Sequence, residues 1–298
     1  MYHNPVLLHE SISGLNILPG GIYVDTTFGG GGHSRAMLEK MEGGKLFAFD
    51  QDKDALANSP DDERFTLINQ NFRYLKNFLR LHNVLEVDGI LADLGVSSHQ
   101  FDTGERGFST RFDAPLDMRM NQVQPLDASE VVNTYPEREL THLFRNYGEL
   151  KNAFQITKAI VAAREEAPIK TTTQLCNIVE KNFPGHSKNK FLAMVFQALR
   201  IEVNDEMAAL KEMLQQAMDI LKPGGRLVVI SYHSLEDRPV KNLIKTGNFE
   251  GKLEKDFYGN PIVPFKSITR KPIVPGEKEI EKNSRARSAK LRIAEKIG

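Results

Sequence analysis

The sequence predicts an α/β fold, a doubly wound, mostly parallel, Rossmann-like sheet with an inserted all-helical domain. Three observations predict it. Short apolar strand patterns alternate with helical ones from Tyr23 to Asp93, and the alternation resumes at Asn204. Between these stretches, helical patterns follow one another with no strand among them. The first strand breaks into the first helix through Gly29-Gly30-Gly31-Gly32, which signals close backbone approach.

In order, His3 to Glu10 leads into a short amphipathic helix ending near Gly14, and Pro19-Gly20-Gly21 is the turn before a strand from Tyr23 to Phe28. His33 to Met41 is the first crossover helix, closed by Gly43-Gly44. Lys45 to Asp50 and Phe65 to Asn69 are the next strands, with a short polar helix over Lys53 to Asn58. Phe72, Leu75, Phe78, Leu79 and Leu81 recur at helical spacing, and Asp88 to Asp93 is a fourth strand. From Leu94 to about Asn121 no period is visible, and a stretch that long is expected to be functional.

Helical patterns then run from Ala128 to Thr134, Pro136 to Asn146, Glu149 to Glu166, Thr171 to Asn182 and Asn189 to Ile201. Pro136 suits a helix start, and Thr171-Thr172-Thr173 offers a cap. Asn204 to Leu221 follows, with Met207, Leu210, Met213, Leu214, Ala217 and Leu221 on one face as core. Arg226 to Ser231 is the fifth strand, and Ala289 to Ala294 reads as sheet edge. The expected domains are 1–102 with 201–298, and an inserted 103–200.

A chain of 298 residues, 40% apolar and 26% charged, can bury a substantial core. The one cysteine, Cys176, excludes an internal disulfide and any multi-cysteine zinc site, and no histidine or carboxylate spacing calls for a metal. No apolar leader or membrane-length apolar run is present, so the expectation is a cytoplasmic protein without membrane attachment. The net charge of zero hides a division. Lys266 to Gly298 carries ten Lys or Arg and four Glu, a net of +6, leaving 29 basic and 35 acidic groups before it. Such a basic tail is a footprint for phosphate, or a solvated tail.

A glycine turn between a strand and a helix puts unpaired N–H groups and the positive end of the helix dipole at one spot, at the carboxyl edge where ligands bind. Asp50 follows at the distance from which a carboxylate holds a ribose hydroxyl. The pattern suits a nucleoside cofactor. It does not say which one, since the spacing is not that of dinucleotide sites, and a plain flexible loop fits it too.

The strand ending at Asp93 continues as Leu94-Gly95-Val96-Ser97-Ser98-His99-Gln100. Together with Pro5-Val6-Leu7-Leu8, Gly31-Gly32-His33-Ser34, Asp88-Gly89-Ile90-Leu91, Arg106-Gly107-Phe108-Ser109, Pro115-Leu116-Asp117-Met118-Arg119-Met120, Phe196-Gln197-Ala198-Leu199-Arg200-Ile201, His233-Ser234-Leu235-Glu236-Asp237-Arg238 and Arg285-Ala286-Arg287-Ser288-Ala289-Lys290-Leu291-Arg292, it makes nine ordered blocks. In these blocks the chain resembles the RsmH (MraW) family of ribosomal RNA small subunit methyltransferases.

The resemblance implies a class I S-adenosylmethionine-dependent methyltransferase fold with a helical substrate-recognition insert. It also implies methylation of N4 of a cytosine in the decoding region of 16S rRNA, within the small ribosomal subunit. Carried over, the cofactor contacts fall at Gly31, Gly32, His33, Asp50, Phe72, Asp93 and Gln100. The sequence departs from the family at Tyr147-Gly148-Glu149-Leu150, where two acids are usual, in His186 to Val195, and at Tyr232, where phenylalanine is usual.

An amino nitrogen whose lone pair is delocalised into the ring must be oriented in line with the methyl donor. Asp93, Ser97 and Ser98 are the candidates for that task, and His233 or Glu236 for taking the proton; the alternatives are release to water without a dedicated base and a structural histidine at the strand end. A base must leave its stack to reach such a pocket. Phe101, Phe108 and Phe112, with Arg106, Arg111 and Arg119, are candidates to grip RNA, or else anchors of their own loop. In the tail, Arg270, Lys271, Arg285, Arg287, Lys290 and Arg292 are candidates for phosphate. A homodimer is compatible with all of this. An NAD-type oxidoreductase lacks the glycine spacing, and a non-catalytic RNA-binding factor would not need Gly31, Gly32, His33, Asp50 and Asp93 intact.

Overall fold

The computed structural model describes residues 5–182 and 188–298, the side chains of Ser98 and His99 excepted. Two compact units emerge: Met1–Gly95 with Met207–Gly298, and Val96–Glu206. The first begins with α1 (Leu8–Leu15), β1 (Ile22–Asp25), α2 (Gly32–Lys40), β2 (Lys45–Phe49), β3 (Phe65–Ile68), α3 (Leu75–Leu81) and β4 (Val87–Asp93). The polar stretch at Lys53–Asn58 is a 3-10 turn, and Phe72–Tyr74 is another, entering α3.

The second unit holds α4 (Ser98–Asp102), α5 (Ala128–Thr134), α6 (Glu137–Asn146), α7 (Ala153–Glu166), α8 (Thr172–Asn182) and α9 (Lys188–Asn204). It extends beyond the expected 103–200 at both ends. At its start Val96 and Phe101 pack on the helical core. At its end the Asn204 amide donates to the Met118 carbonyl and accepts from the Met120 N–H, both at 2.8 Å, pinning the aperiodic loop to the last helix.

The chain then returns through α10 (Glu206–Ile220), β5 (Leu221–Ser231), α11 (Ser234–Thr246), β6 (Phe265–Ser267), α12 (Glu277–Lys282) and β7 (Lys290–Lys296). β5 starts earlier than the sequence suggests: Leu221 pairs with Val87, the register shifts across Pro223-Gly224, and the regular ladder begins at Arg226 opposite Gly89. The sheet order is β3-β2-β1-β4-β5-β7-β6. β1 to β5 run parallel, whereas β7 is antiparallel to both β5 and β6.

Alternation along the strands sorts side chains to two buried faces, as a sheet covered on both sides requires. Val24, Ile90, Ala92, Leu227 and Val229 pack with α3, α10 and α11. Tyr23, Leu91, Val228 and Ile230 pack with Leu15 of α1 and Met37 and Leu38 of α2. The chain leaves β1 toward β2 on one side and reaches β4 on the other. That reversal opens a crevice at the carboxyl ends of β1 and β4, where open α/β sheets bind ligands.

Candidate active site

Three strands deliver a carboxylate to this edge: β1 ends at Asp25, β2 is followed by Asp50, and β4 ends at Asp93. Between the first two lies the glycine turn, and its backbone explains the residue choice. Gly29 and Gly31 are left-handed, with φ of 51° and 74°. A Cβ on Gly31 would sit 2.8 Å from the Phe28 ring, and one on Gly32 would collide with Pro5. No side chain caps α2, so the N–H groups of its first turn are left for a ligand.

Asp25 fastens this turn from below. It is fully buried, accepts from the Ser34 hydroxyl at 2.7 Å and from the Thr27 N–H at 3.1 Å, and burial raises its carboxyl above the usual range. Asp50 accepts from the Gly29 N–H at 2.8 Å and the Asp52 N–H at 2.9 Å, one on each oxygen. Each oxygen keeps a lone pair for a further donor. Asn69 donates to the Asp50 carbonyl, and Asn71 to Gln51, so the loop that carries Phe72 is tied to the Asp50 loop. Phe72 itself is half-buried against the sheet core.

Asp93 is the most constrained group. Its N–H donates to Thr27 Oγ1 at 2.6 Å, stitching the end of β4 to the glycine turn. Its Oδ1 accepts from the Tyr232 hydroxyl at 2.8 Å. Its Oδ2 lies 3.8 Å from His33 Nδ1, while His33 Nε2 is 3.2 Å from the Val6 carbonyl. A carbonyl only accepts, so Nε2 carries a proton and Nδ1 is the atom facing the carboxylate. Burial pushes the Asp93 carboxyl up to about 6, against the pull of His33 and Tyr232; burial likewise brings Asp50 to about 6. Tyr232 is pushed far up by burial and by Asp93, so its phenol stays a donor.

The expected proton acceptors have a different occupation. His233 and Glu236 form a reciprocal cap on α11: the Glu236 N–H donates to His233 Nδ1, and Glu236 Oε2 accepts from the N–H groups of Tyr232 at 2.7 Å and His233 at 3.4 Å. His233 Nε2 is 3.0 Å from Glu236 Oε1, yet the alignment is not that of a hydrogen bond. A buried carboxylate accepting two backbone donors holds a turn, and here the turn presents Tyr232.

Within the helical unit, Ser97 and Gln100 bond each other's backbone, Gln100 Oε1 accepting from the Ser97 N–H and Ser97 Oγ from the Gln100 N–H, both at 3.2 Å. Gln100 is buried; the side chain of Ser98, an expected catalytic group, lies outside the described residues. Three expected RNA contacts are engaged within the loop itself. Arg106 is only 6% exposed and donates to the Arg119 and Met120 carbonyls, Phe108 is 4% exposed in the helical core, and Arg119 makes a two-point pair with Asp117. They build the loop from inside. Arg111 is exposed.

In the tail, Arg292 is bound to both oxygens of Asp237, and Lys290 lies 4.0 Å from the same carboxylate. Arg287 is exposed and Arg285 half-buried. Sequence reasoning did not assign site roles to Asp25, Thr27, Ser34 and Tyr232. The signal for Asp25 was present, a carboxylate closing an apolar strand before glycines. Tyr232 had none, because its partner comes from another strand.

Residues 1–297 match the model of a family described as the MraW methylase family. The Ribosomal RNA small subunit methyltransferase H of Flavobacterium johnsoniae is 64% identical over 297 residues, covering 99% of this chain and 98% of that one. The protein of the same name from Bacteroides thetaiotaomicron is 60% identical over 296 residues, covering 99% and 97%. Among solved structures, an rRNA methylase from Streptococcus thermophilus aligns over 98% of this chain and 96% of its own, with 13% identity and a TM-score of 0.46.

Proposed function

Because the chain belongs to the MraW methylase family, we propose that it methylates N4 of a cytosine in the decoding region of 16S rRNA, within the small ribosomal subunit. The chain is an S-adenosylmethionine-dependent rRNA methyltransferase with a class I fold. The observation that carries the reading is the set of three strand-end carboxylates around an uncapped helix start, with Asp93 locked by Tyr232 and Thr27.

The residues present fit that cofactor. Gly31 and Gly32 have no room for a Cβ, which would meet the Phe28 ring and Pro5, so only glycine lets the chain make this turn into the uncapped start of α2. When bound, S-adenosylmethionine supplies an electrophilic methyl group on a sulfonium. The first-turn amides of α2, at Gly32 and His33, are suited to its carboxylate, with Gly31 as the turn that exposes them. Asp50 is suited to the two ribose hydroxyls, Phe72 to the adenine face, and Asp93 to the ammonium. The His33 ring faces Asp93 at 3.8 Å and is held from behind by the Val6 carbonyl. Gln100 is carried by family likeness alone.

Binding of an ammonium needs Asp93 ionised, and with its carboxyl near 6 it is ionised at neutral pH. The acceptor amine is made reactive by orientation rather than by a strong base. His233 and Glu236 serve by holding Tyr232 in place, and the proton leaves to water. The helical unit is the proposed RNA-recognition element, with Arg111 its exposed cation and Arg285, Arg287 and Lys290 as tail candidates. Incubation with labelled cofactor and small-subunit particles, followed by mass mapping of the rRNA, tests the assignment. A single N4-methylated cytosine in the decoding region is expected; methylation at carbon, ribose or a different base overturns it.

A further inference from the structure

After α11 the chain forms a projecting hairpin in which every residue from Glu250 to Ile262 is exposed. The Ile262 N–H donates to the Glu254 carbonyl and the Asp256 N–H to the Asn260 carbonyl, both at 2.9 Å, and Lys255 bridges Pro261 across the strands. At the tip the Asp256 carboxylate accepts from the N–H groups of Tyr258 and Asn260 and from the Asn260 amide. At the base Asn248 exchanges side-chain bonds with the backbone of Lys252, and Asn242 donates to the Phe249 carbonyl. The backbone is therefore set before any partner arrives.

This tip carries Phe257, 97% exposed, and Tyr258, 86% exposed, with ring centroids 5.6 Å apart and nearly perpendicular. Leu253 and Ile262 are exposed on the same hairpin. Apolar residues scattered singly on a surface are ordinary, but a cluster on an ordered projection is a contact surface. Its charge selects the partner. From Lys252 to Lys271 there are five cations and two carboxylates, and Asp256 is occupied by the turn. Lys252, Lys255 and Lys266 are exposed and make no ion pair among the described residues. Exposed aromatic rings beside unpaired lysines are the combination that holds unstacked bases and their phosphates.

We propose that the hairpin 250–262 is a binding finger for a single-stranded segment of the RNA substrate, Phe257 and Tyr258 stacking on bases and Lys252 and Lys255 holding phosphates. The proposal rests on the rRNA reading above. The finger lies outside both the cofactor crevice and the helical unit, so it would add grip on RNA and not chemistry.

The test uses the full chain and a fluorescein-labelled, cytidine-rich RNA strand, alone or annealed to its complement. Phe257→Ala/Tyr258→Ala should weaken single-strand binding about tenfold or more with an unchanged salt slope, and affect duplex binding less. Lys252→Gln/Lys255→Gln should reduce the salt slope by about 1.4. Both variants should keep the wild-type melting temperature and S-adenosylmethionine affinity. Single-strand binding within about twofold of wild type in the aromatic variant overturns the finger and leaves the rRNA reading standing. A wild-type protein that binds cofactor but neither binds nor methylates rRNA overturns that reading and the finger with it. Unchanged RNA binding with lost methylation of assembled particles also overturns the proposal, in favour of a ribosomal protein partner.

Discussion

The Tyr232 hydroxyl donates a 2.8 Å hydrogen bond to Asp93 Oδ1 across the carboxyl ends of β5 and β4. The phenol places a hydrogen-bond donor on a half-buried carboxylate at the strand end. Its consequence is electrostatic: a donor stabilises the ionised form and opposes the burial that raises the group.

Tyr232→Phe should therefore move the acid limb of S-adenosylmethionine binding to higher pH. The limb is set by Asp93, whose ionised form is the one suited to an ammonium, and loss of the phenol raises its pKa. Affinity at neutral pH should fall up to about tenfold, since a hydrogen bond to a charged group contributes ~1.5 kcal/mol or more. Calorimetric titrations from acid to neutral pH measure both effects. An unmoved limb would show that Tyr232 does not tune Asp93.

Asp50 and Asp93 also link folding to pH. Their folded carboxyls titrate near 6, above the unfolded value of 3.8, so the stability each contributes is present below about 3.8 and lost as pH rises through about 6. Asp93→Asn and Asp50→Asn remove that loss. Without cofactor, each variant should gain stability relative to wild type between about pH 4 and pH 8, by on the order of 1–3 kcal/mol. Urea unfolding across the range reads the difference, and a flat difference contradicts it.

Gly32→Ala sets two effects against each other. Helix propensity alone favours alanine by about 1 kcal/mol. The new methyl would collide with the Pro5 ring, so the first turn of α2 must shift. The clash should win, lowering stability by ~1–3 kcal/mol and cofactor affinity tenfold or more. A stabilised variant with intact binding would refute the close approach.

Arg106 and Arg111 separate structural from RNA-facing cations. Arg106→Ala leaves the Arg119 and Met120 carbonyls without their donor and should cost ~2 kcal/mol or more, with RNA affinity following stability. Arg111→Ala should leave the melting temperature within about a degree, weaken RNA binding and reduce its salt slope by roughly 0.7–0.9. The reverse pattern would return Arg106 to the RNA surface.

Parts of the site were legible because they are local. The glycine turn, Asp50 and Asp93 each sit where a strand ends, and strand ends are written in apolar runs and their breakers. For Arg106 and Phe108 two readings stayed open, for the opposite reason. A basic and aromatic loop looks the same in sequence whether its side chains face solvent or the helical core. His233 and Glu236 read as catalytic groups, but the spacing of three between them is also that of a reciprocal helix cap.

The sequence by itself determined the alternation of strands and helices, the interruption by a helical insert, and the carboxylates at the ends of β1, β2 and β4, because these depend on short-range periodicity and turn chemistry. Tertiary structure alone decided which polar groups meet. Tyr232 reaches Asp93 across 139 residues of chain, Thr27 across 66, and Arg106 turns inward to carbonyls that no local pattern names. Such pairings follow from strand order and from the need to satisfy every buried polar group, and both are properties of the assembled sheet and core.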